Sequence, residues 1–241
     1  MVDAVFGAAR LQAVPSFRGC AMSGVPQKLT IDIVSDVVCP WCAIGYKGLE
    51  QALSALGDRV EASVTWHPFE LASYLPAGGQ LLSDYVRERY GAPAEQSQKS
   101  RQRIVDAGAA VGLDFRYSEG SRIYNSFKAH QLLHWAGEVG HQTELKLALF
   151  KAYFTDQTNI NDEDVLMAAV ERAGLDPAEA AAVLADQRYA GKVRAEENYW
   201  TEQNITGVPA FIINGKYMIP GAQDAETFGR VLERVLQKEA A

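Results

Sequence analysis

Two cysteines separated by two residues stand where a strand-like run meets a helix-like run. Leu29–Val34 is short and rich in β-branched residues, and Cys39 and Cys42 follow it after a turn. A proline directly after the first cysteine suits the first turn of a helix, because its missing N–H would be unbonded there. The pattern predicts a strand that leads into a helix over Pro40–Leu56, with both cysteines at the helix N-terminus.

The N-terminal and C-terminal parts of the chain are predicted to form one framework of strands and helices, although a long segment separates them in the sequence. A second strand is predicted over Arg59–Trp66, so the chain opens as β-α-β. Near the C-terminus, a helix over Gly191–Gln203 precedes a strand over Gly207–Ile213, and Asn214-Gly215 is a hairpin turn signal. A return strand, Lys216–Ile219, and an amphipathic helix, Ala225–Gln237, then complete a β-β-α ending.

Between these ends, residues 81–188 have helical spacing and almost no strand signal. The predicted helices are Leu81–Tyr90, Ala94–Val111, Ser126–Gly140, Glu144–Thr155, Asp162–Ala173 and Pro177–Asp186. The α/β fold class is therefore a thioredoxin-like fold with an inserted all-α helical domain. The thioredoxin-like domain comprises residues 29–80 and 189–241, and the helical insertion comprises residues 81–188.

Composition limits the classes of partner. The formal net charge is -7, which disfavours nucleic acid and anionic membrane surfaces, and no apolar run reaches the ~18 residues that cross a bilayer. Three cysteines are too few for a secreted disulfide scaffold, so their use is typical of catalysis. We expect a cytoplasmic protein, either a monomer or a homodimer.

Residues 1–28 are expected to be a disordered or over-long leader. Met22 stands just ahead of the first strand, as a translation start would. The alternative is an organelle presequence, because the segment contains arginines and few acidic residues. Cys20 within it is expected to have no role.

The cysteine pair predicts thiol–disulfide exchange. Unpaired N–H groups at a helix N-terminus favour a thiolate, so Cys39 is the expected nucleophile. Cys42, one turn later, would resolve the mixed disulfide. A zinc site would need further ligands, and a structural disulfide is uncommon in intracellular proteins, so both are weaker hypotheses. The sequence has no second paired knuckle, and the other candidate ligands are scattered: Cys20, His67, His130, His134 and His141.

Five further residues are candidates around the cysteines. A cis bond before Pro209 would expose the backbone groups of Val208 to an extended substrate. Asp32 and Asp36 could exchange protons with Cys42, although Asp36 equally suits a turn or cap. Trp41 could offer an apolar surface to peptides or cover the helix.

The segment Asp36–Gly45, which reads DVVCPWCAIG, resembles the active-site segment of the DsbA-like oxidoreductases of the FrnE-like branch. The likeness extends over nearly the whole chain from Leu29. It includes Pro68–Leu71, Asn125–His130, Leu149–Phe154, Ile160–Asp162, Gly207–Pro209 and Gly221–Gln223.

The resemblance implies a thioredoxin domain with a helical insertion, a catalytic pair at Cys39 and Cys42, and a cis-proline at Pro209. In related members the Asn and His of the insertion motif lie near the cleft, so Asn125 and His130 become substrate-contact or supporting candidates. This chain has Gln131 where the family usually has arginine, which puts a conventional anion contact in doubt.

Three functions are compatible with these features. The leading hypothesis is a redox-active Cys39–Cys42 disulfide, with no bound cofactor, that exchanges with protein or peptide thiols. The second comes from kappa-class glutathione transferases and 2-hydroxychromene-2-carboxylate isomerases, which resemble this fold but typically carry serine at the position of Cys39. Retention of both cysteines favours redox chemistry, in which glutathione could still bind at Val208 and Pro209 as a reducing partner. The third is a holdase whose cleft binds unfolded chains.

Overall fold

The computed structural model describes residues 25–91 and 94–239, and a four-stranded mixed sheet forms its centre. The sheet has the strand order β2-β1-β5-β6. Its strands are β1 (Gln27–Ser35), β2 (Val60–Pro68), β5 (Ala210–Ile213) and β6 (Tyr217–Pro220). Most of the predicted leader, with Met22 and Cys20, lies outside the described residues.

Strand β1 lies inside the sheet, between β2 and β5. This position explains why its sequence is an apolar run. It pairs in parallel with β2, from Gln27 opposite Val60 to Ser35 opposite Pro68, and antiparallel with β5. Strands β5 and β6 form the predicted hairpin, and Asn214 and Gly215 at its turn have φ values of 52° and 62°. Positive φ at both positions is what a tight hairpin turn requires, and Asn and Gly tolerate it best.

Nine α-helices are assigned within the described residues. Helix α1 (Pro40–Leu56) connects β1 to β2, and α9 (Ala225–Glu239) closes the chain. Between β2 and β5 lie α2 (Leu82–Tyr90), α3 (Ala94–Ala110), α4 (Phe127–Glu138), α5 (Gln142–Phe150), α6 (Glu163–Arg172), α7 (Pro177–Asp186) and α8 (Ala190–Glu202). The predicted thioredoxin-like fold with a helical insertion is confirmed.

Residues that favour the start or the end of a helix lie at the observed boundaries of α6 and α7. The Asp162 and Asp176 side chains accept hydrogen bonds from the amides of Asp164 and Ala178, so both residues cap helices where the sequence predicts helix starts. Gly174, just after α6, has a φ of 78°, which a glycine adopts without the usual steric cost.

Two features of the insertion differ from the prediction. A two-stranded sheet, β3 (Gln80–Leu81) with β4 (Arg122–Ile123), was missed, because two residues are too short to show alternation. The predicted helix Glu144–Thr155 instead ends as α5 at Phe150 and continues as one π-helical turn, Lys151–Thr155. Sequence periodicity cannot distinguish such a turn from ordinary helix.

A continuous hydrophobic cluster joins the sheet to the insertion. Trp66 on β2 packs against Tyr46 on α1, with ring centroids 4.9 Å apart, and against Phe150 on α5, at 6.1 Å. The Gln142 side chain also bonds both backbone groups of Trp66, at 2.8 and 2.9 Å. The insertion is thus attached to the edge strand by apolar packing and by hydrogen bonds. The division into domains at residues 81–188 stays a prediction.

Candidate active site

The turn after β1 places Cys39 at the start of α1. The Cys39 amide donates to the carbonyl of Asp36 at 3.3 Å, which closes the turn, and Cys39 is the N-cap residue. Pro40 occupies the first helical turn, as predicted. The Cys39 side chain therefore lies beside the unpaired amides of the helix N-terminus.

The two cysteines differ in their access to solvent. Both are free thiols, and the Cys42 amide donates to the Cys39 carbonyl at 3.1 Å. Cys39 is 5% exposed and Cys42 is completely buried. Cys39 is thus the sulfur that an external disulfide reaches first, and Cys42 lies behind it.

A cis peptide bond between Val208 and Pro209 faces the first cysteine. The Cys39 thiol donates to the Val208 carbonyl, with 3.7 Å between sulfur and oxygen. Strand β5 begins one residue after Pro209, so the sheet holds this loop in place. The fold therefore brings together Cys39, Val208 and Pro209, and the predicted cis bond is present.

A cavity of about 490 Å³ opens over Cys39. Val38, Trp41 and Val208 form one side of it, and insertion residues form the other. The insertion side carries apolar and aromatic side chains and one positive charge, contributed by Leu82, Tyr85, Val86, Ile104, Tyr117 and Arg101. Nothing in the sequence singles out these residues, because their helices show only ordinary amphipathic spacing.

Asp36 is completely buried next to the cysteines. One carboxylate oxygen accepts from the Leu71 amide at 2.7 Å, and the other lies 3.5 Å from Nε2 of His130. Burial alone would raise the pKa of Asp36, but the hydrogen bond and charge of His130 and the Leu71 amide lower it. Asp36 is therefore an anion held in place, which favours the cap and turn interpretation of this residue.

Lys146 on α5 is a completely buried cation that the sequence analysis missed. Its Nζ donates to the Ser35 carbonyl at 3.5 Å and lies 5.2 Å from the ring centroids of Trp66 and Phe150. Burial lowers the pKa of Lys146 to about 8, although negative charge on Cys42 and Asp36 acts in the opposite direction. A lysine within the apolar run of α5 was the available signal, but lysine is almost always on a surface.

The two thiols titrate as one pair. The hydrogen bond to Cys42 and burial raise the pKa of Cys39, and the helix amide of Cys42 only partly offsets this. Burial also opposes ionisation of Cys42, but the hydrogen bond from Cys39 and the ammonium of Lys146 outweigh it and lower the pKa of Cys42. The causes that lower the pKa of Cys42 are therefore its contact with the other thiol and, after it, the positive charge of Lys146.

The Asp32 carboxylate is engaged by a histidine, and its role in proton exchange with Cys42 stays a prediction. Its carboxylate is 2.9 Å from Nε2 of His67, and Nδ1 of His67 lies 3.5 Å from Glu196 on α8. Successive side chains of a strand point to opposite faces, and that of Asp32 points to the face covered by α8. Glu196 also contacts Nδ1 of His134 at 3.2 Å, so a separate polar cluster forms there.

The two insertion candidates do not line the cavity. The Asn125 side chain donates to the Ser73 carbonyl and accepts from the Phe127 amide, which occupies it in the turn before α4. His130 is 3% exposed and bonds the Phe69 carbonyl at 3.1 Å. The contact with Asp36 favours the supporting role for His130, and substrate contact by either residue stays a prediction.

Metal binding has little geometric support. Across residues 25–91 and 94–239, no group of three or more His, Cys, Asp or Glu side chains could hold a metal ion. His130 and His134, which are spaced for a helical pair, turn to different partners, Asp36 and Glu196.

Comparisons with known proteins agree with this geometry. The family model described as the DSBA-like thioredoxin domain matches residues 30–233. The uncharacterized protein YwbO of Bacillus subtilis (strain 168) is 32% identical over 212 residues, which cover 87% of this chain and 98% of YwbO. The crystal structure of a "probable DsbA oxidoreductase" from Streptomyces coelicolor is similar, with a TM-score of 0.81, 34% identity and coverage of 87% and 90% of the two chains.

More distant structures share the fold. A 2-hydroxychromene-2-carboxylate isomerase has a TM-score of 0.63 and 15% identity over 88% of this chain and 98% of its own. The cytosolic disulfide reductase DsbM of Pseudomonas aeruginosa, solved with GSH, has a TM-score of 0.59 and 14% identity over 86% and 99%. The family match covers most of the chain, and the two nearer relatives retain their likeness over nearly all of it. This chain therefore belongs to the DsbA-like thioredoxin-domain family, as its resemblance to the FrnE-like branch predicted.

Proposed function

We propose that the protein is a thiol–disulfide oxidoreductase that exchanges its Cys39–Cys42 dithiol with disulfides of proteins or peptides. One observation carries the proposal. The thiol of Cys39 stands at the start of α1 against the carbonyl that precedes cis-Pro209, while Cys42 lies buried behind it. Family membership supports oxidoreductase chemistry in general, and the protein substrate is our inference.

The exchange proceeds in two displacements. When the pair loses one proton, the negative charge is on Cys39 if the remaining proton is on Cys42. The Cys39 thiolate attacks one substrate sulfur, forms a mixed disulfide and releases the first substrate thiolate. The Cys42 thiolate then attacks Sγ of Cys39, which forms the Cys39–Cys42 disulfide and releases the second substrate thiolate. The substrate is reduced and the enzyme oxidised, and the reverse sequence oxidises a dithiol.

The surroundings of Cys39 suit an extended peptide. Val208 precedes the cis bond and presents backbone groups that can pair with a substrate strand. Trp41 is 41% exposed beside the cysteines and offers an apolar face. We propose Val208, Pro209 and Trp41 as the peptide-binding residues.

The test is reduction of insulin disulfides with dithiothreitol as donor. We expect the wild type to turn over and Cys39→Ser to lose activity entirely, because no nucleophile then faces the substrate. Cys42→Ser should still attack but accumulate the mixed disulfide, which mass spectrometry detects. Serine is nearly isosteric with cysteine, so folding should be unaffected. Full activity of Cys39→Ser would contradict the proposal.

The cavity favours a second candidate function, a glutathione-dependent isomerase or transferase of small molecules. Its volume of about 490 Å³ suits a small apolar ligand, and Arg101 adds a positive charge to the wall. DsbM was solved with GSH, and 2-hydroxychromene-2-carboxylate isomerase shares the fold. Glutathione-dependent turnover of an aryl halide or a chromene, without insulin reduction, would favour this alternative.

We propose a cytoplasmic location for the protein. No helix among the described residues is long and apolar enough to cross a membrane, and DsbM is described as cytosolic. Fractionation of the source cells with cytoplasmic and envelope markers tests the location, and recovery with the envelope would contradict it.

A further inference from the structure

The cavity over Cys39 contains one fixed charge. Among the described residues that line it, Arg101 on α3 is the one basic side chain, and none is an aspartate or a glutamate. The rest of the wall is apolar or carries neutral hydroxyl and amide groups. The protein itself therefore supplies no counterion inside the cavity, which favours a ligand that brings a negative charge with it.

Arg101 is half-buried, and its guanidinium forms neither an ion pair nor a hydrogen bond with a described residue. The acids on its own helix are engaged elsewhere, since Glu95 pairs with Lys99 and Asp106 accepts from Gln102, each at 2.8 Å. A guanidinium has five N–H donors and no acceptor. Its donors at this position are therefore available to a ligand.

Two hydroxyl groups lie in the same wall. Ser97 precedes Arg101 by one helical turn, so the two side chains share a face of α3, and Ser97 is 8% exposed. Tyr117 lines the cavity from the loop after α3, and burial raises its pKa, so its hydroxyl stays protonated. Neither hydroxyl bonds a described residue, whereas that of Tyr85 donates to the Leu71 carbonyl.

A carboxylate matches these donors. The planar guanidinium forms two parallel hydrogen bonds with a carboxylate, and such charge-assisted bonds are stronger than neutral ones. The hydroxyls of Ser97 and Tyr117 can donate to the same anion. Apolar side chains of the wall, Leu82, Val86 and Ile104, reduce the water around it, which strengthens the attraction between the charges.

The same cavity reaches the nucleophile. Cys39 lies in the opposite wall with Trp41 and Val208, and a volume of about 490 Å³ accommodates one small molecule or a short piece of peptide. A sulfur at Cys39 and a carboxylate at Arg101 can therefore belong to a single ligand.

We propose that Arg101 selects disulfide substrates that carry a carboxylate close to the sulfur attacked by Cys39. This assignment rests on the proposed dithiol exchange and names its substrate class, which is a peptide with an acidic residue beside the half-cystine or a small disulfide of an acidic thiol. Sγ of Cys39 bonds to the substrate sulfur, the substrate S–S bond breaks, and the second sulfur leaves as a thiolate. Arg101 holds the substrate and exchanges no proton or electron.

The test compares dithiodiglycolic acid with its diamide, two disulfides that differ in charge. The reduced enzyme is mixed with each compound, and mass spectrometry after acid quenching gives the rate constant for formation of the Cys39–Cys42 disulfide. Each rate constant is divided by that of dithiothreitol with the same compound, which removes their intrinsic difference in reactivity. We expect the wild type to prefer the acid by about tenfold, although the net charge of -7 alone would repel it.

Arg101→Gln should reduce this preference to about one, because glutamine keeps the helix propensity but not the charge. Arg103→Gln is the matched control, since it removes the same charge from the same helix. Arg103 lies outside the cavity wall and bonds the Ser100 hydroxyl, so we expect the preference to remain. Circular dichroism confirms that each variant is folded.

Equal normalised rates for the two compounds in the wild type would overturn the inference alone. An unchanged preference in folded Arg101→Gln would do the same. Oxidation of the wild type by neither compound would contradict the dithiol exchange, and the inference with it. Two peptide disulfides with Glu or Gln beside the half-cystine distinguish the sources of the carboxylate, because an Arg101-dependent preference for the Glu peptide assigns it to a peptide.

A charge inversion provides a second, independent measurement. Cystamine is a disulfide with two ammonium groups, which the wild type should disfavour relative to the diamide. We expect Arg101→Glu to invert this order and to prefer cystamine several-fold, because opposite charges attract in the same place. A purely structural role of Arg101 would not invert selectivity, so a folded Arg101→Glu protein that keeps the wild-type order would overturn the proposal.

Discussion

Asp36 connects the turn before Cys39 to the loop after β2. Its oxygens accept from the amides of Val38 at 3.4 Å and Leu71 at 2.7 Å, and His130 lies beneath them. A buried carboxylate is stable only when such partners satisfy it, so the position of the active-site turn depends on this anion.

We expect Asp36→Asn to lower the free energy of unfolding at pH 7 by about 1.5–3 kcal/mol, the range for a hydrogen bond to a charged group. The pKa of Asp36 is lowered in the folded state, so its contribution is present above its ordinary pKa of 3.8 and is lost as the pH falls through the folded value. Urea denaturation at pH 7 and pH 3 measures this. Asp58→Asn, on the exposed surface after α1, is the control, and an equal loss at both pH values would contradict the argument.

Helix α1 comes into close contact with the loop before α9 at Gly48. A Cβ on Gly48 would lie 2.5 Å from the backbone carbonyl oxygen of Gln223, in the loop before α9, whereas a Cβ on Gly229 would have no atom within 4 Å. Both glycines are within helices, so helix propensity alone would favour alanine at either.

Gly48→Ala should therefore destabilise the protein by about 1–3 kcal/mol, since the backbone of the loop has to move. Gly229→Ala should stabilise it by up to about 1 kcal/mol, because alanine is the better helix former and nothing obstructs it. Parallel urea titrations measure both variants. Equal effects of the two substitutions would show that the close approach has no energetic consequence.

The sheet and the insertion share one core. Trp66 on β2 and Trp135 on α4 are both 3% exposed and belong to the same hydrophobic cluster. Neither part can lose its packing without exposing apolar surface of the other, which makes partial unfolding costly.

We accordingly expect one cooperative transition in guanidinium chloride under reducing conditions. Far-UV circular dichroism, dominated by the helices, and the near-UV signal of the buried tryptophans should change together. Loss of the helical signal at lower denaturant than the tryptophan signal would indicate that the insertion unfolds separately.

The amino-acid sequence by itself determined the features that depend on short-range interactions. The strand before Cys39, the helix from Pro40, the caps at Asp162 and Asp176 and the turn at Asn214 follow from residues close in the chain. Steric and hydrogen-bond preferences of neighbouring residues suffice for these. The family could be predicted for the same reason, because its motif is local.

Only the tertiary structure decided how the site is charged. Lys146 lies 104 positions beyond Cys42 in the chain, yet its charge, after the hydrogen bond from Cys39, lowers the pKa of Cys42. The sequence made Asp32 a candidate for proton exchange and Asn125 a candidate for substrate contact. In the structure the Asp32 carboxylate contacts His67, and the Asn125 side chain donates to the Ser73 carbonyl. Burial of an ionisable group, and hence its pKa, depends on which helices pack over it, and neighbouring residues do not specify that.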